Sequence, residues 1–287
     1  MSVSKDKEDF VNGHDHASDL PNLQQVRTEG SITITPEMFE RMYLAPQNQV
    51  KGDLRRIIGN PTPLGLGGFL IAYCPIIFSL LGWRGYTGNG AATVGTYYFS
   101  GGLLAIISSI FELILGNTFP AVFFGVFGGY FLSFGATLTP SFGAYLAYAP
   151  DPSDPSGGVT APAFLSGLAF WNLMMAIFTI YCTICALRVN ILFCLAFFFL
   201  FLTFTLVSAS YWTVTEAGKQ MIGHRLQIAG ASCGFVTMII GWYLLLALML
   251  TTVDFPFNLP VGDLSHIVPS ATELRQRKKK SDIEKGQ

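Results

Sequence analysis

The sequence predicts an all-α integral membrane protein: six transmembrane helices, arranged as three helical hairpins around a central path, with polar cytoplasmic tails at both ends. Three observations predict it. Six apolar segments of about twenty or more residues follow one another after residue 60, each long enough to cross a ~30 Å hydrocarbon core as a helix. Only 12% of residues are charged and 51% are hydrophobic, where a soluble domain carries about 25% charged residues. Before the first apolar segment lies a long polar stretch with no apolar run.

That first stretch, residues 1–56, mixes charges of both signs (Lys5, Lys7, Glu8, Asp9, His14, Asp15, His16) and reads as a largely disordered tail. Its part nearest the membrane, Pro36 to Ile58, contains Met38, Phe39, Met42, Tyr43 and Leu44, then Lys51, Arg55 and Arg56. It suits either a short amphipathic surface helix or a linker. No apolar h-region precedes it, so no cleaved signal peptide is expected. Ser2 stands where N-myristoylation needs glycine.

The spans are placed at 63–82, 93–114, 119–139, 161–186, 190–211 and 226–250, within a transmembrane domain of residues 57–253. A Pro/Asp-rich loop, Pro150-Asp151-Pro152-Ser153-Asp154-Pro155, joins the third and fourth. An even number of spans puts both tails on one side. Of the 17 Lys and Arg, only Arg84, Lys219 and Arg225 fall on the other side. The excess of positive charge therefore places the tails in the cytoplasm. The C-terminal tail, 254–287, carries Arg275-Gln276-Arg277-Lys278-Lys279-Lys280, a patch for anionic lipid or a solvated run. The net charge of −1 gives no sign of a nucleic-acid partner; the bilayer is the partner that composition implies.

The first span opens at Asn60-Pro61-Thr62-Pro63-Leu64-Gly65-Leu66-Gly67-Gly68-Phe69. Asn60 can cap the helix, and Pro61 fits the first helical position, where its missing N–H costs nothing. Gly65, Gly67 and Gly68 let another backbone or a solute come close. Asparagine also precedes the third and fifth spans, as Asn117 and Asn190. The sequence thus contains a weak threefold repeat of Asn-capped hairpins, a known way to build a transport path. Phe69, Phe127 and Leu200 lie nine or ten residues after their asparagines. At 1.5 Å rise that is about 15 Å deep, near the midplane. If the odd-numbered helices share an axis, these three side chains meet in an apolar constriction of the kind that gates by dewetting; ordinary helix packing is the plain alternative.

Glu112 is the one acid or base well inside a placed span. It reads either as a proton-binding or path-lining group, or as an acceptor for the N–H groups that start the third helix at Asn117-Thr118-Phe119. The histidines (His14, His16, His224, His266) lie outside the spans, and no HExxH, GxSxG or P-loop pattern occurs. No enzyme, metal site or cofactor is expected. Cys182 and Cys185 form a CxxC without a second pair; with Cys74, Cys194 and Cys233 they read as buried inert thiols. Tyr97, Tyr98, Tyr130, Trp171, Tyr211, Trp242 and Tyr243 are read as path aromatics or as an interfacial belt.

These motifs resemble a known family. Asn60 to Leu66 followed by Gly68-Phe69 is similar to the N-P-[AV]-P-[LF]-G-L-x-[GSA]-F signature of the acetate uptake transporter family (succinate–acetate permease, Gpr1/Fun34/YaaH). Glu112 with Gly116-Asn117-Thr118-Phe119 matches a second block, and Gly128-Gly129-Tyr130-Phe131-Leu132-Ser133-Phe134-Gly135-Ala136 resembles a third. The likeness covers residues 55 to 250, and the long N-terminal tail is like that of fungal members.

The resemblance implies six-helix protomers in a homo-hexamer of the plasma membrane. Each protomer would take up acetate and related short carboxylates, succinate among them, with protons as the coupling ion. Phe69, Phe127 and Leu200 align with the family's hydrophobic constriction. Asn60, Pro61, Pro63, Leu64, Gly65, Leu66, Glu112, Asn117 and Thr118 align with its signature positions. Two departures bear on the substrate: Ala105 stands where members often carry Gln, and Tyr211 where some have Asn. Both change the polar contacts offered to a carboxylate. The alternatives are an acetate-responsive membrane sensor, motivated by the long tail and these departures, and a channel for ammonia or another small neutral solute, motivated by the nearly uncharged path.

Overall fold

The computed structural model describes residues 57–151, 153–262, 264, 274, 275 and 278. The tail 1–56, including the stretch read as a surface helix or linker, lies outside the described residues, as does most of the basic C-terminal run. Six helices are long and apolar enough to cross a membrane, and no strand occurs among the described residues. They are α1 (Thr62–Leu81), α2 (residues 94–114), α3 (Thr118–Leu138), α4 (Pro162–Ala186), α5 (Ile191–Val214) and α6 (Gln220–Thr252). Five of the six placed spans agree to within about three residues, except that α6 begins six residues before the expected 226. His224 and Arg225, placed outside the spans, therefore sit in its first two turns, both exposed. At 33 residues α6 is about 50 Å long, more than a bilayer core needs, so its polar start extends past the apolar slab.

α1 is the central helix: 61% of its apolar window is buried, against 39–44% for the other five. It packs on α2, α3 and α6. Small residues set the spacing. A Cβ on Gly68 would stand 2.5 Å from the Ser100 carbonyl oxygen, and one on Gly101 would stand 2.6 Å from Ala72 Cβ and the Phe131 ring. Only glycine lets these backbones approach so closely. Gly101 and Gly102 lie in a π-helical segment, Tyr97–Leu104, between the short α turn Val94–Thr96 and the regular helix Ala105–Ile114. The wide turn brings Tyr97 fully inside. α1 ends at Gly82, whose φ of +69° suits glycine and turns the chain into the loop before α2.

Of the three expected hairpins, two are seen. α1 packs along α2, and α5 packs along α6. α3 and α4 are joined by the long loop 139–161, and their backbones stay apart. Large rings fill the space instead: Tyr130 lies 4.7 Å from Trp171 and Phe127 lies 5.9 Å from Phe178, centroid to centroid. Likewise α1 and α3 face α5 across side chains rather than backbone. These ring-filled gaps position the path.

The asparagine caps differ from one another. Asn190 Oδ1 accepts from Phe193 N–H at 2.8 Å and Asn60 Oδ1 from Thr62 N–H at 3.0 Å. Asn117 does not cap with its side chain; its Nδ2 donates to Glu112 Oε2 at 2.7 Å. The strong bond to a charged acceptor orients the Asn117 amide toward Glu112, which turns its Oδ1 away from the capping position.

Past α6 the chain turns back. Tyr243 Oη donates to the Pro260 carbonyl (2.9 Å), Val261 is buried, and Ile191 N–H donates to the Gly262 carbonyl (2.8 Å). The segment thereby straps the start of α5 to α6.

Candidate functional site

Two cavities of about 40 Å³ each lie in line within the bundle, each with room for on the order of three waters or one small solute. One lies toward the helix ends that carry Asn117 and Asn190, and is lined by Leu66, Phe123, Phe193, Phe197 and Leu244 among others. The other lies toward the loop between α1 and α2 and includes Tyr73, Asn89, Tyr130, Asn172, Thr203 and Tyr211. Three side chains line both: Phe69, Phe127 and Leu200. All are at most 9% exposed. Phe69 meets Phe127 edge to face at 5.3 Å and stacks on Tyr73 at 5.1 Å. The structure thus brings together the three residues that the repeat singles out and puts them at the wall between two chambers.

The two chambers differ in chemistry. The cap-end chamber is nearly all apolar. The loop-end chamber has a polar girdle that the sequence reading missed. Asn172, 5% exposed in mid-α4, accepts from Tyr130 Oη through its Oδ1 at 3.1 Å. Its Nδ2 has no partner among the described residues. The Tyr73 hydroxyl is buried against α6, with the hydroxyls of Thr203 and Thr237 as its polar neighbours. Those hydroxyls donate to the carbonyls of Phe199 and Ala196 and keep lone pairs that can accept from Tyr73. One spare donor, Asn172 Nδ2, therefore belongs to this chamber. An asparagine in mid-span was the available signal, since buried amides in a membrane cost too much to be idle. Asn89, in the loop between α1 and α2, closes the girdle: its Oδ1 accepts from Tyr211 Oη at 3.1 Å.

Several of the other signature residues hold helices together. The Pro61 carbonyl accepts from Ser108 Oγ at 2.8 Å, and Gly65 leaves space for the Phe124 ring. Leu66 lines the cap-end chamber. Leu64 and Thr118 are exposed, Pro63 half-buried. Glu112 is fully buried and lines neither chamber; it accepts from Thr62 Oγ1 and Asn117 Nδ2, tying the starts of α1 and α3. Both contacts are structural ties between helix starts, made by side-chain donors. Ala105 is buried and lines neither chamber, whereas Tyr211 does. Tyr97, Tyr130 and Tyr211 face the interior rather than an interfacial belt; Trp242 is exposed. Cys182 is buried but Cys185 faces outward, and the five cysteines are free thiols.

A bundle of six membrane-spanning helices with in-line chambers and an apolar wall between them has the architecture of a multi-pass membrane protein with an internal path. A family model described as the GPR1/FUN34/yaaH family matches residues 44–266, and the chain belongs to that family. It is 42% identical over 252 residues to Protein alcS of Aspergillus fumigatus, covering 88% of this chain and 91% of that one. It is 33% identical over 210 residues to the acetate transporter protein patA of Aspergillus clavatus (73% and 80% covered). It is 35% identical over 247 residues to the ammonia transport outward protein 2 of Saccharomyces cerevisiae (78% and 80% covered). Among solved structures, the bacterial acetate channel SatP has the same fold, with a TM-score of 0.53 and 24% identity over 71% of this chain and 99% of that one.

Proposed function

We propose that this protein moves acetate and related short monocarboxylates across the membrane, through the two chambers of each protomer and past the Phe69–Phe127–Leu200 wall. The observation that carries the reading is the mid-span amide of Asn172, whose Nδ2 donor has no partner among the described residues, in a chamber of about 40 Å³ beside that wall. A carboxyl oxygen accepts hydrogen bonds, and a donor without a protein partner suits it. The small methyl end of acetate then faces the apolar wall.

The wall favours the neutral acid. Desolvating an isolated carboxylate costs several kcal/mol, and among the described residues nothing charged lines either chamber to offset it. Acetate therefore crosses together with a proton or as acetic acid, and protons are the coupling ion. Proton-linked uptake fits a plasma-membrane protein with both termini cytoplasmic, and a family assembly of six protomers gives each its own path. The extended dicarboxylate succinate fits the same chamber less well.

A second reading has one specific support. The uncharged path and the likeness to a relative named for ammonia transport suit passage of ammonia. Purified protein in proteoliposomes with an imposed pH gradient separates the two, with acetate, succinate and ammonium compared in parallel. Acetate accumulation driven by the gradient supports the carboxylate reading. Ammonia permeation without acetate movement overturns it.

A further inference from the structure

We propose that Asn89 and Tyr211 form a second barrier, a hydrogen-bonded latch that shuts the loop-end chamber against that side of the membrane. The inference rests on the reading of the chambers as the solute path. It concerns the opposite end of the chamber from the Phe69–Phe127–Leu200 wall.

Three hydrogen bonds to the helices converge on two consecutive residues of the loop between α1 and α2. Tyr211 Oη donates to Asn89 Oδ1 (3.1 Å), Tyr97 Oη to the Asn89 carbonyl (2.9 Å), and Gly90 N–H to Ser79 Oγ (2.9 Å). The donors and acceptor on the helices come from α5, α2 and α1, so the loop is pinned to three sides of the chamber at once. Asn89 and Tyr211 both line that chamber, while Gly88, just before, is exposed. Asn89 is therefore the point where chamber and outside are one residue apart. The loop is shaped for this position: Asn89 has φ +53°, which asparagine tolerates better than most residues. A Cβ on Gly90 would stand 1.9 Å from Tyr97 Oη, so only glycine lets the loop sit this deep.

The fastening is by hydrogen bonds from side chains to a short surface loop, with no helix backbone bond involved. Such a contact opens locally, without unpacking the bundle. With the apolar wall at one end and the latch at the other, a solute within the chamber waits on one of two independent openings.

The test is chemical access to the chamber. Val207 lines it one turn before Tyr211, and none of the five native cysteines does. Val207→Cys in the purified full chain is treated with a small charged methanethiosulfonate, and modification at position 207 is followed by mass spectrometry. Adding Tyr211→Phe, which keeps the ring and removes the donor, is expected to speed modification about fivefold to tenfold, the population shift that one hydrogen bond supports. Asn89→Gly severs the same bond while keeping the backbone at positive φ, and is expected to do the same. Rates in both variants within about twofold of the latched parent overturn the proposal, as does a parent already modified at the rate of an exposed thiol. The readout needs no transported solute. Failure of acetate flux in the parent would sink the functional reading and leave this result standing.

Discussion

Thr62 and Glu112 are joined at the base of the bundle: the Thr62 hydroxyl donates to Glu112 Oε1, and Asn117 Nδ2 donates to the other carboxylate oxygen at 2.7 Å. A residue at the start of α1, one near the end of α2 and one preceding α3 thus meet at a single buried carboxylate. This is how three helix ends are held in register where the apolar packing runs out.

Glu112→Gln is expected to cost stability rather than alter coupling. The amide keeps the shape but offers one acceptor oxygen in place of two and loses the charge. Hydrogen bonds to charged groups contribute about 1.5–3 kcal/mol, so thermal unfolding in detergent should begin earlier. The pH dependence of uptake should match the parent's. A variant of normal stability whose uptake no longer responds to pH would return Glu112 to the proton path.

Asn172→Leu is expected to lower acetate uptake while leaving the protein folded. It removes a spare donor and leaves the Tyr130 hydroxyl without its acceptor, at about 1–3 kcal/mol for the orphaned group. Tyr130→Phe is the paired control: it orphans the Asn172 Oδ1 but keeps the Nδ2 donor. Acetate uptake should fall further in Asn172→Leu than in Tyr130→Phe. Equal loss in both would mean that the pair is structural. Ammonia permeation should respond less than acetate, since a small solute with one acceptor needs fewer donors.

Phe69→Ala is expected to open the wall between the chambers. Its ring touches Phe127, Phe131 and Tyr73 at once, so its removal merges two spaces of about 40 Å³. Uptake of propionate and butyrate should rise relative to acetate. An unchanged substrate range would show that this wall does not select. Phe→Ala in a packed core costs about 3–5 kcal/mol, so Phe69→Leu, a smaller change, provides a second reading of the same effect.

Gly68→Ala tests the packing of α1 on α2. The new methyl group would stand 2.5 Å from the Ser100 carbonyl, a backbone atom that cannot rotate away. Overpacking of this kind costs about 1–3 kcal/mol, and the expected result is a lower unfolding temperature with weaker uptake. Gly67→Ala is the control, since its nearest neighbour, Leu245 Cδ2, is 3.8 Å away.

Uptake is expected to rise as external pH falls from 7 toward 5. The acid fraction of acetate grows in that direction, and the neutral form avoids the desolvation cost of the wall. Labelled acetate entering cells without other carriers measures it. A rate independent of pH over this window would remove the proton from the mechanism.

The spans were legible because apolar length is a strong signal in a membrane protein. The start of α6 was not, since Gln220 to Arg225 is polar yet continues the helix beyond the apolar core. Phe69, Phe127 and Leu200 were legible through spacing from three asparagines, although Asn117 uses its side chain on Glu112 rather than as a cap. The hairpin reading failed at α3–α4, because aromatic volume can hold two sequential helices apart and sequence spacing does not report it. Asn172 and Asn89 were overlooked for different reasons. Asn172 is a single amide without a motif. Asn89 reaches Tyr211 across 122 positions of sequence, and only the folded chain brings them together.

The strap after α6 has a mechanical consequence. Residues 260–262 are fastened both to Tyr243 of α6 and to Ile191, the first residue of α5. The chain that goes on to the basic run near Arg275 therefore departs from the foot of α5, the helix that supplies Leu200. Residue 262 is thereby anchored at the start of the same helix that places Leu200 in the wall.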